Sequence, residues 1–199
     1  MSALIALMIA ASPPIYFPED LAKPTYRCSA DGDRAVPFVD AGTLAAYATV
    51  LQIANERPIF PDQPSKHKRM AKTVRFTWLR TFHAPVVIRI EIDEKGKAQI
   101  FATRLSGQGG YSFGSIADQL LKTLSRDEAK KIIALFRAEA FPPAQARCGP
   151  PGMDGARWLL EGVDDAGYHF SERWSPRKGH MHDLGVYMLE LVGWTEDIY

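Results

Sequence analysis

The most regular alternation of apolar and polar positions runs through residues 73–105 and predicts three β-strands. Apolar side chains at every second position predict strands over residues 73–80, 86–93 and 97–105. Gly96 lies where a tight turn needs a left-handed backbone, so the second and third strands are predicted to form a hairpin. The core face of this hairpin is predicted to carry Ile88, Ile90, Ile92, Ala98, Ile100 and Ala102.

A second hairpin is predicted over residues 154–176, where apolar positions alternate with ionisable ones. Gly167 is placed in its turn, by the same rule as in the first hairpin. The resulting register pairs Trp158 with Trp174 on one face. The opposite face is predicted to carry Glu161, His169 and Arg173.

Three segments have the 3.6-residue period of amphipathic helices. The first covers residues 43–55. The second follows a capping box made by Ser125 and Glu128. The third runs from about Asp183 to Gly193, a residue type that commonly ends helices.

A glycine-rich segment, residues 106–114, connects the third strand to a helix-like segment over residues 115–122. A strand, a glycine-rich loop and a helix in succession are the setting of phosphate-binding loops. However, the spacing matches neither GxGxxG nor GxxxxGK[ST]. We therefore interpret the segment as a turn or rim loop, with nucleotide binding as the alternative, and predict no cofactor.

Together these elements predict one α+β domain, with an antiparallel sheet of about five strands packed against two to four helices. Residues 73–199 form its core, and the proline-rich residues 13–72 form an irregular arm with one helix. The length of 199 residues and the hydrophobic fraction of 46% are typical of a single soluble domain. The net charge of +1 gives no electrostatic argument for a nucleic-acid partner.

The N-terminus contains an uncharged apolar run over residues 3–11. Its length is that of the hydrophobic region of a signal peptide and is too short to span a bilayer, so no integral membrane segment is predicted. We therefore expect residues 1–12 to be a signal peptide and the protein to be periplasmic or secreted. Because no Lys or Arg precedes the run, the alternative is a buried first element of a cytoplasmic protein.

The two cysteines, Cys28 and Cys148, lie far apart in the sequence, each beside loop-forming residues. In an oxidising compartment they could pair and tether the N-terminal arm to the loop before the second hairpin. Closing so long a loop would stabilise the fold by about 4 kcal/mol. Two free thiols are the alternative, and neither cysteine has the local signature of a nucleophile.

Several short motifs are spread over the last two thirds of the chain. They are FTWLRTFH (76–83) with Pro85 and Val86, Gly107 with Gly109, Gly110 and Tyr111, Asp154-Gly155, WLLEG (158–162), Tyr168-His169, RWSP (173–176), Leu184-Gly185 and Ile198-Tyr199. In these motifs residues 73–199 resemble a family of uncharacterised bacterial proteins, many of them exported. The resemblance implies export and a single α+β domain, and it carries no activity, ligand or catalytic residue.

The strongest cluster of ionisable residues is predicted to be Arg80, His83, Glu161, His169 and Arg173, because the first strand and the last hairpin could be neighbours in the sheet. Glu161 and His169 would form an acid–base pair if they came within about 3 Å. The other interpretation is structural: Glu161 and Arg173 form an ion pair on the sheet, and His169 makes a hydrogen bond at its rim. No nucleophile or oxyanion element accompanies the cluster.

His180 and His182 are the candidate metal ligands of the sequence. Two histidines one residue apart align in a strand but not in a helix. These two lie at the predicted start of the last helix, so we interpret them as part of a solvated loop and predict no metal site.

Two functions are consistent with the sequence. The first is a non-enzymatic cell-envelope protein that binds another protein, as an inhibitor or immunity-like module, using Arg80, Glu161, His169 and Arg173. The alternative is a small hydrolase-like enzyme with His83, Glu161 and His169 as candidate catalytic residues in a cleft beside the glycine-rich loop. The near-neutral charge and the lack of a cofactor motif or nucleophile favour the first.

Overall fold

A computed structural model of the protein describes residues 14–27, 35–60, 72–139, 152–194 and 196–199. The predicted signal peptide, residues 1–12, lies outside the described residues. So do Cys28 and Cys148, and their predicted disulfide remains a prediction.

The described residues form eight strands and three α-helices. The strands are β1 Pro24–Arg27, β2 Ala35–Pro37, β3 Lys72–Arg80, β4 Val86–Ile92, β5 Ala98–Leu105, β6 Ile116–Leu124, β7 Ala156–Asp164 and β8 Gly167–Trp174. Six of them form an antiparallel sheet in the order β6-β5-β4-β3-β7-β8, and β1 and β2 form a separate antiparallel pair. The predicted α+β class with one mainly antiparallel sheet is confirmed.

The helices cover both faces of the six-stranded sheet. They are α1 Ala41–Ile53, α2 Arg126–Ala138 and α3 His180–Val192, and a 3₁₀ turn spans Glu19–Ala22. One face, which we call the apolar face, packs Phe76, Trp78 and Trp158 against α2 and α3. The other is covered by α1 and the N-terminal segment, including Tyr16 and Phe38. Among the described residues no helix is long and apolar enough to cross a membrane.

The first hairpin has the predicted register. Ile92 lies opposite Ala98 and Ile90 opposite Ile100, so the predicted apolar residues share one face. Gly96 has a φ of 78°, the left-handed conformation that a side chain disfavours. The local turn chemistry and the alternation agree here, which is why the register could be predicted.

The predicted helix over residues 115–122 is wrong, because this segment belongs to β6, the edge strand beside β5. Its apolar residues Ile116, Leu120 and Leu124 recur every four positions, as they would in a helix. The positions midway between them, Asp118 and Lys122, are charged and exposed: Asp118 accepts hydrogen bonds from Arg104, and Lys122 donates to the carbonyl of Leu191. Charges on an edge strand protect it from pairing with other chains, and in this strand they leave an apolar spacing of four residues that resembles a helical period.

The second hairpin forms, but its predicted register is wrong by one residue. Gly167 lies opposite Asp164, so the turn has two residues instead of three. Trp158 is therefore opposite Arg173, and Trp174 is opposite Arg157. A shift of one residue moves each side chain of one strand to the other face. The partner of Trp158 across the strands is Trp78 on β3, with ring centroids 5.5 Å apart.

Capping groups explain where α2 and α3 begin and where α3 ends. Ser125 and Glu128 form the predicted capping box, and Gly193 ends α3 with a φ of 72°. The start of α3 at His180 is three residues earlier than predicted. The carboxylate of Glu139 accepts a hydrogen bond from the Met181 amide at 3.0 Å, which supplies a cap that the local sequence lacks.

Candidate functional site

The structure separates the residues of the predicted acid–base cluster. Glu161 lies opposite Phe170 and His169 opposite Gly162, so Glu161 and His169 point to opposite faces of the sheet. His83 follows the end of β3, whereas His169 lies level with Val74 through Gly162. At 3.4 Å per residue, the six residues from Val74 to Arg80 already span about 20 Å. The structure therefore does not bring these three side chains into one cleft.

Glu161 is paired with Arg75, directly opposite on β3, and not with Arg173 as predicted. Two nearly parallel hydrogen bonds join them: Arg75 Nε donates to Oε2 at 2.9 Å and Nη2 to Oε1 at 3.0 Å. The side chains are 0% and 1% exposed. A guanidinium and a carboxylate buried to this extent must be paired, because either one alone would keep its full desolvation cost.

The Arg75–Glu161 pair belongs to a larger cluster, which we call the ionic cluster. It has three guanidinium groups and three carboxylates, so its formal charges cancel: Arg57, Arg75, Arg89, Glu56, Glu91 and Glu161. Arg89 Nε donates to Glu56 Oε2 at 2.7 Å, and Arg57 Nη2 donates to Glu91 Oε1 at 2.8 Å. The cluster ties the segment after α1 to β3, β4 and β7.

Tyr168 completes the cluster. Its hydroxyl donates to Glu161 Oε1 at 2.9 Å. Burial, and then the negative charge of Glu161, raise the pKa of Tyr168 well above its ordinary value. Burial likewise raises the pKa of Glu161, while the Arg75 guanidinium opposes that rise. Tyr168 keeps its proton, and both carboxylate oxygens of Glu161 already accept hydrogen bonds. The arrangement is therefore that of a structural cluster and not that of a free general base.

Arg173 and His169 lie on the apolar face. Arg173 Nη2 donates to Glu139 Oε1 at 3.0 Å, and that same carboxylate caps α3 through Met181. His169 Nε2 lies 3.0 Å from Asp164 Oδ1, and its ring packs edge-on against Phe136 of α2. Both side chains thus hold α2 and α3 on the sheet.

Arg80 binds the C-terminal segment. Its Nη1 donates to Glu196 Oε2 at 2.6 Å, and Arg104 Nη1 donates to Glu196 Oε1 at 2.9 Å. Burial opposes ionisation of Glu196, but the hydrogen bonds from these two arginines outweigh it and lower the pKa of the carboxyl. Nearby, His83 Nδ1 lies 2.6 Å from the Tyr199 hydroxyl. The chain's last residues therefore lie across the end of β3.

The backbone amides of the glycine-rich loop donate hydrogen bonds to other parts of the protein backbone. Gly109 donates to the carbonyl of His83 and Gly110 to that of Thr81, at 3.1 and 3.0 Å. A Cβ on Gly109 would lie 2.6 Å from the Arg80 carbonyl oxygen, so glycine is required for this close approach. Because the amides of residues 106–111 donate to backbone carbonyls, the loop does not offer them to a phosphate. This arrangement favours the rim-loop interpretation.

The loop forms one side of an exposed surface at the end of the sheet, which we call the sheet-end surface. Its three large apolar side chains are Phe82, Tyr111 and Met153, which are 44%, 69% and 89% exposed. The rings of Phe82 and Tyr111 lie 5.9 Å apart. A cavity of about 320 Å³ lies among Leu79, Thr81, Gly109, Gly110, Tyr111, Met153, Arg157 and Trp174.

Few other large apolar side chains are exposed in the described part of the chain. They are Ile15, Leu121 and Ile198. Ile198 directly precedes Tyr199, whose ring lies 5.5 Å from that of His83, beside Phe82. Clustered exposed apolar groups at a surface are typical of protein contact sites, whereas scattered ones are ordinary.

The two histidines of the last helix do not form a metal site. His180 and His182 both belong to α3, where neighbours two positions apart point in different directions. His182 stacks on Trp158 at 5.8 Å. Within the described ranges, no group of three His, Cys, Asp or Glu side chains is arranged to hold a metal ion.

Sequence reasoning missed the partners of the predicted residues. Arg75 alternates with apolar residues on β3, which marks it as a polar-face residue, but nothing local shows that this face is covered. Glu56 and Arg57 follow α1 in a stretch without strand or helix signal, so their place in the ionic cluster had no pattern to reveal it. For the sheet-end surface a signal existed: Tyr111 is an aromatic residue inside a glycine-rich loop.

Comparison with known proteins adds no further guide to the site. No protein-family model matches this chain, and no curated protein matches it.

Proposed function

We propose that the protein is a non-enzymatic module of the cell envelope that binds another protein through the sheet-end surface. The supporting observation is the exposed group of Phe82, Tyr111 and Met153, of which Tyr111 and Met153 line one cavity together with Arg157 and Trp174. Aromatic side chains, Met and Arg are the residue types enriched at protein interfaces. An anchor side chain of the partner would fill the cavity, in a complex of the inhibitor or immunity-like kind.

The rigidity of this surface also supports the proposal. Thr81 donates to the Gly155 carbonyl through both its amide and its hydroxyl, each at 2.9 Å, and Trp174 packs against Gly152 and Gly155. A surface fixed by backbone hydrogen bonds loses little conformational entropy on binding. The enzymatic alternative gains no such support, since its candidate residues lie on different faces and at different ends of the sheet.

Site-directed crosslinking tests this proposal. A photoreactive phenylalanine analogue at Tyr111 should capture a defined partner from an envelope extract, whereas the same group at Leu121, which is exposed on the edge strand, should not. The purified partner should then bind Tyr111→Ala or Met153→Ala at least about tenfold more weakly than the wild type, and Leu121→Ala equally well. Unchanged affinity in both sheet-end variants would refute the proposal.

A further inference from the structure

A groove lies between α2 and the end of the sheet at which β3 begins. It is separated from the sheet-end surface by the length of β3, about 30 Å. Its cavity has a volume of about 420 Å³. Apolar side chains from β4 and α2 form the floor: Ile92, Ala129, Ile133 and Ala134.

Basic side chains surround this floor. They are Lys72, Arg126, Lys130 and Arg137, and no acidic residue lines the cavity in the part of the chain that the structure describes. The three on α2 lie four and seven residues apart, which places them along one stripe of the helix. The groove thus combines an apolar floor with a positively charged rim.

The rim charges are only loosely paired. Lys72 and Arg137 lie 4.0 and 3.8 Å from Asp165, and Lys130 lies 3.5 Å from Asp127. The side chains of Asp165 and Asp127 are 81% and 94% exposed. Ion pairs this long and this exposed contribute little to stability. Arg137 also lies 3.7 Å from Asp164, whose side chain is 9% exposed, so Lys72, Arg126 and Lys130 are the basic groups most available to a ligand.

Arg126 has an unfavourable position that a ligand would explain. It is the first residue of α2, where the helix dipole favours acidic side chains and disfavours a cation. Among the described residues Arg126 forms no ion pair. A residue that opposes a local rule without a compensating contact is typical of a binding position.

We propose that this groove binds a free medium-chain fatty acid. The carboxylate lies between Arg126 and Lys130, which are neighbours on one face of α2, and the aliphatic chain lies on Ile133 and Ala134. A cavity of this volume takes a small single-chain ligand. The site is separate from the sheet-end surface and does not depend on the proposed function.

Titration of the full chain with octanoate and decanoate, below their micellar concentrations, tests the proposal. Calorimetry should give one site, with affinity rising by up to about fourfold for each added methylene that the groove buries. Amide NMR shifts should map to α2 and to the turn at Gly96. Decanol should bind at least about tenfold more weakly, because it lacks the charge that the rim attracts.

Two variants on exposed helix positions check the mode of binding without weakening the fold. Arg126→Glu places an acidic residue at a helix start, which favours the helix, and should weaken decanoate binding about tenfold. Ala134→Phe should occlude the floor and abolish binding. The control Lys178→Glu, at an exposed position outside the groove, should bind decanoate as the wild type does. Equal binding of decanol and decanoate, or shifts outside α2 and the Gly96 turn, would overturn the proposal.

Discussion

The two faces of the six-stranded sheet are buried to a similar extent by different chemistry. On the apolar face, Phe76 and Trp158 are 0% exposed and contact apolar groups of α2 and α3. The other face, which we call the mixed face, has apolar residues such as Leu79 and Leu159 at one end and the ionic cluster at the other. Phe76 is stabilised in the interior because its apolar area is removed from water. Arg75 can be buried only because its charge is paired with a carboxylate.

This difference changes what a charged residue on a strand means. An alternating strand normally turns its polar positions to solvent. Here α1 and the N-terminal segment cover those positions, so the charges had to be matched within the protein. A dense group of ionisable side chains can thus mark a covered face and not a catalytic site, and the exposed groups at the sheet end become the better candidates for function.

The largest loss of stability is expected when the ionic cluster is broken. Arg75→Met leaves the Glu161 carboxylate buried with only the Tyr168 hydroxyl as a close partner. The free energy of unfolding should fall by about 3–5 kcal/mol, because an unpaired buried charge keeps its desolvation cost. Urea denaturation monitored by tryptophan fluorescence measures this. A loss below about 1 kcal/mol would mean that the mixed face admits water.

Overpacking of the apolar face should have an intermediate effect. Gly185 on α3 lies so close to the sheet that a Cβ would come within 2.4 Å of Trp158 and 2.9 Å of Phe76. Gly185→Val should therefore lower the free energy of unfolding by about 1–3 kcal/mol. Ala134→Val, at an exposed helix position, is the control and should cost less than about 1 kcal/mol. Equal losses in both variants would show that α3 can move away from the sheet.

The smallest effect is expected at the edge of the apolar face, where Glu196 binds Arg80 and Arg104. The pKa of Glu196 is lowered in the folded state. The stability that its carboxylate contributes is therefore fully present above the ordinary glutamate pKa, and it is lost as the pH falls through the pKa of the folded state. Glu196→Gln should reduce stability by about 1 kcal/mol at pH 7. Urea titrations at several pH values should show this difference shrinking progressively as the pH falls below the ordinary glutamate pKa. A difference independent of pH would contradict the ionic role of Glu196.

The same comparison explains what the sequence could predict. The apolar face follows from alternation together with Gly96, since local turn chemistry and pattern agree there. The second hairpin was predicted wrongly because Asp164 pairs with Gly167, one residue earlier than the Tyr168 that a three-residue loop would give. That one step of register moved His169 to the face opposite Glu161. The mixed face depends on contacts between β3 and the distant residues Glu56 and Arg57, which no local pattern specifies.

Arg75 and Glu161 act as one buried pair that holds the mixed face closed. A double-mutant cycle with Arg75→Met, Glu161→Leu and the combined variant measures the coupling between the two side chains. The combined variant, which removes both charges and leaves apolar groups of similar size, should be more stable than Arg75→Met alone, with a coupling energy of about 2–3 kcal/mol. Additive losses from the two substitutions would show that Arg75 and Glu161 do not act as a pair.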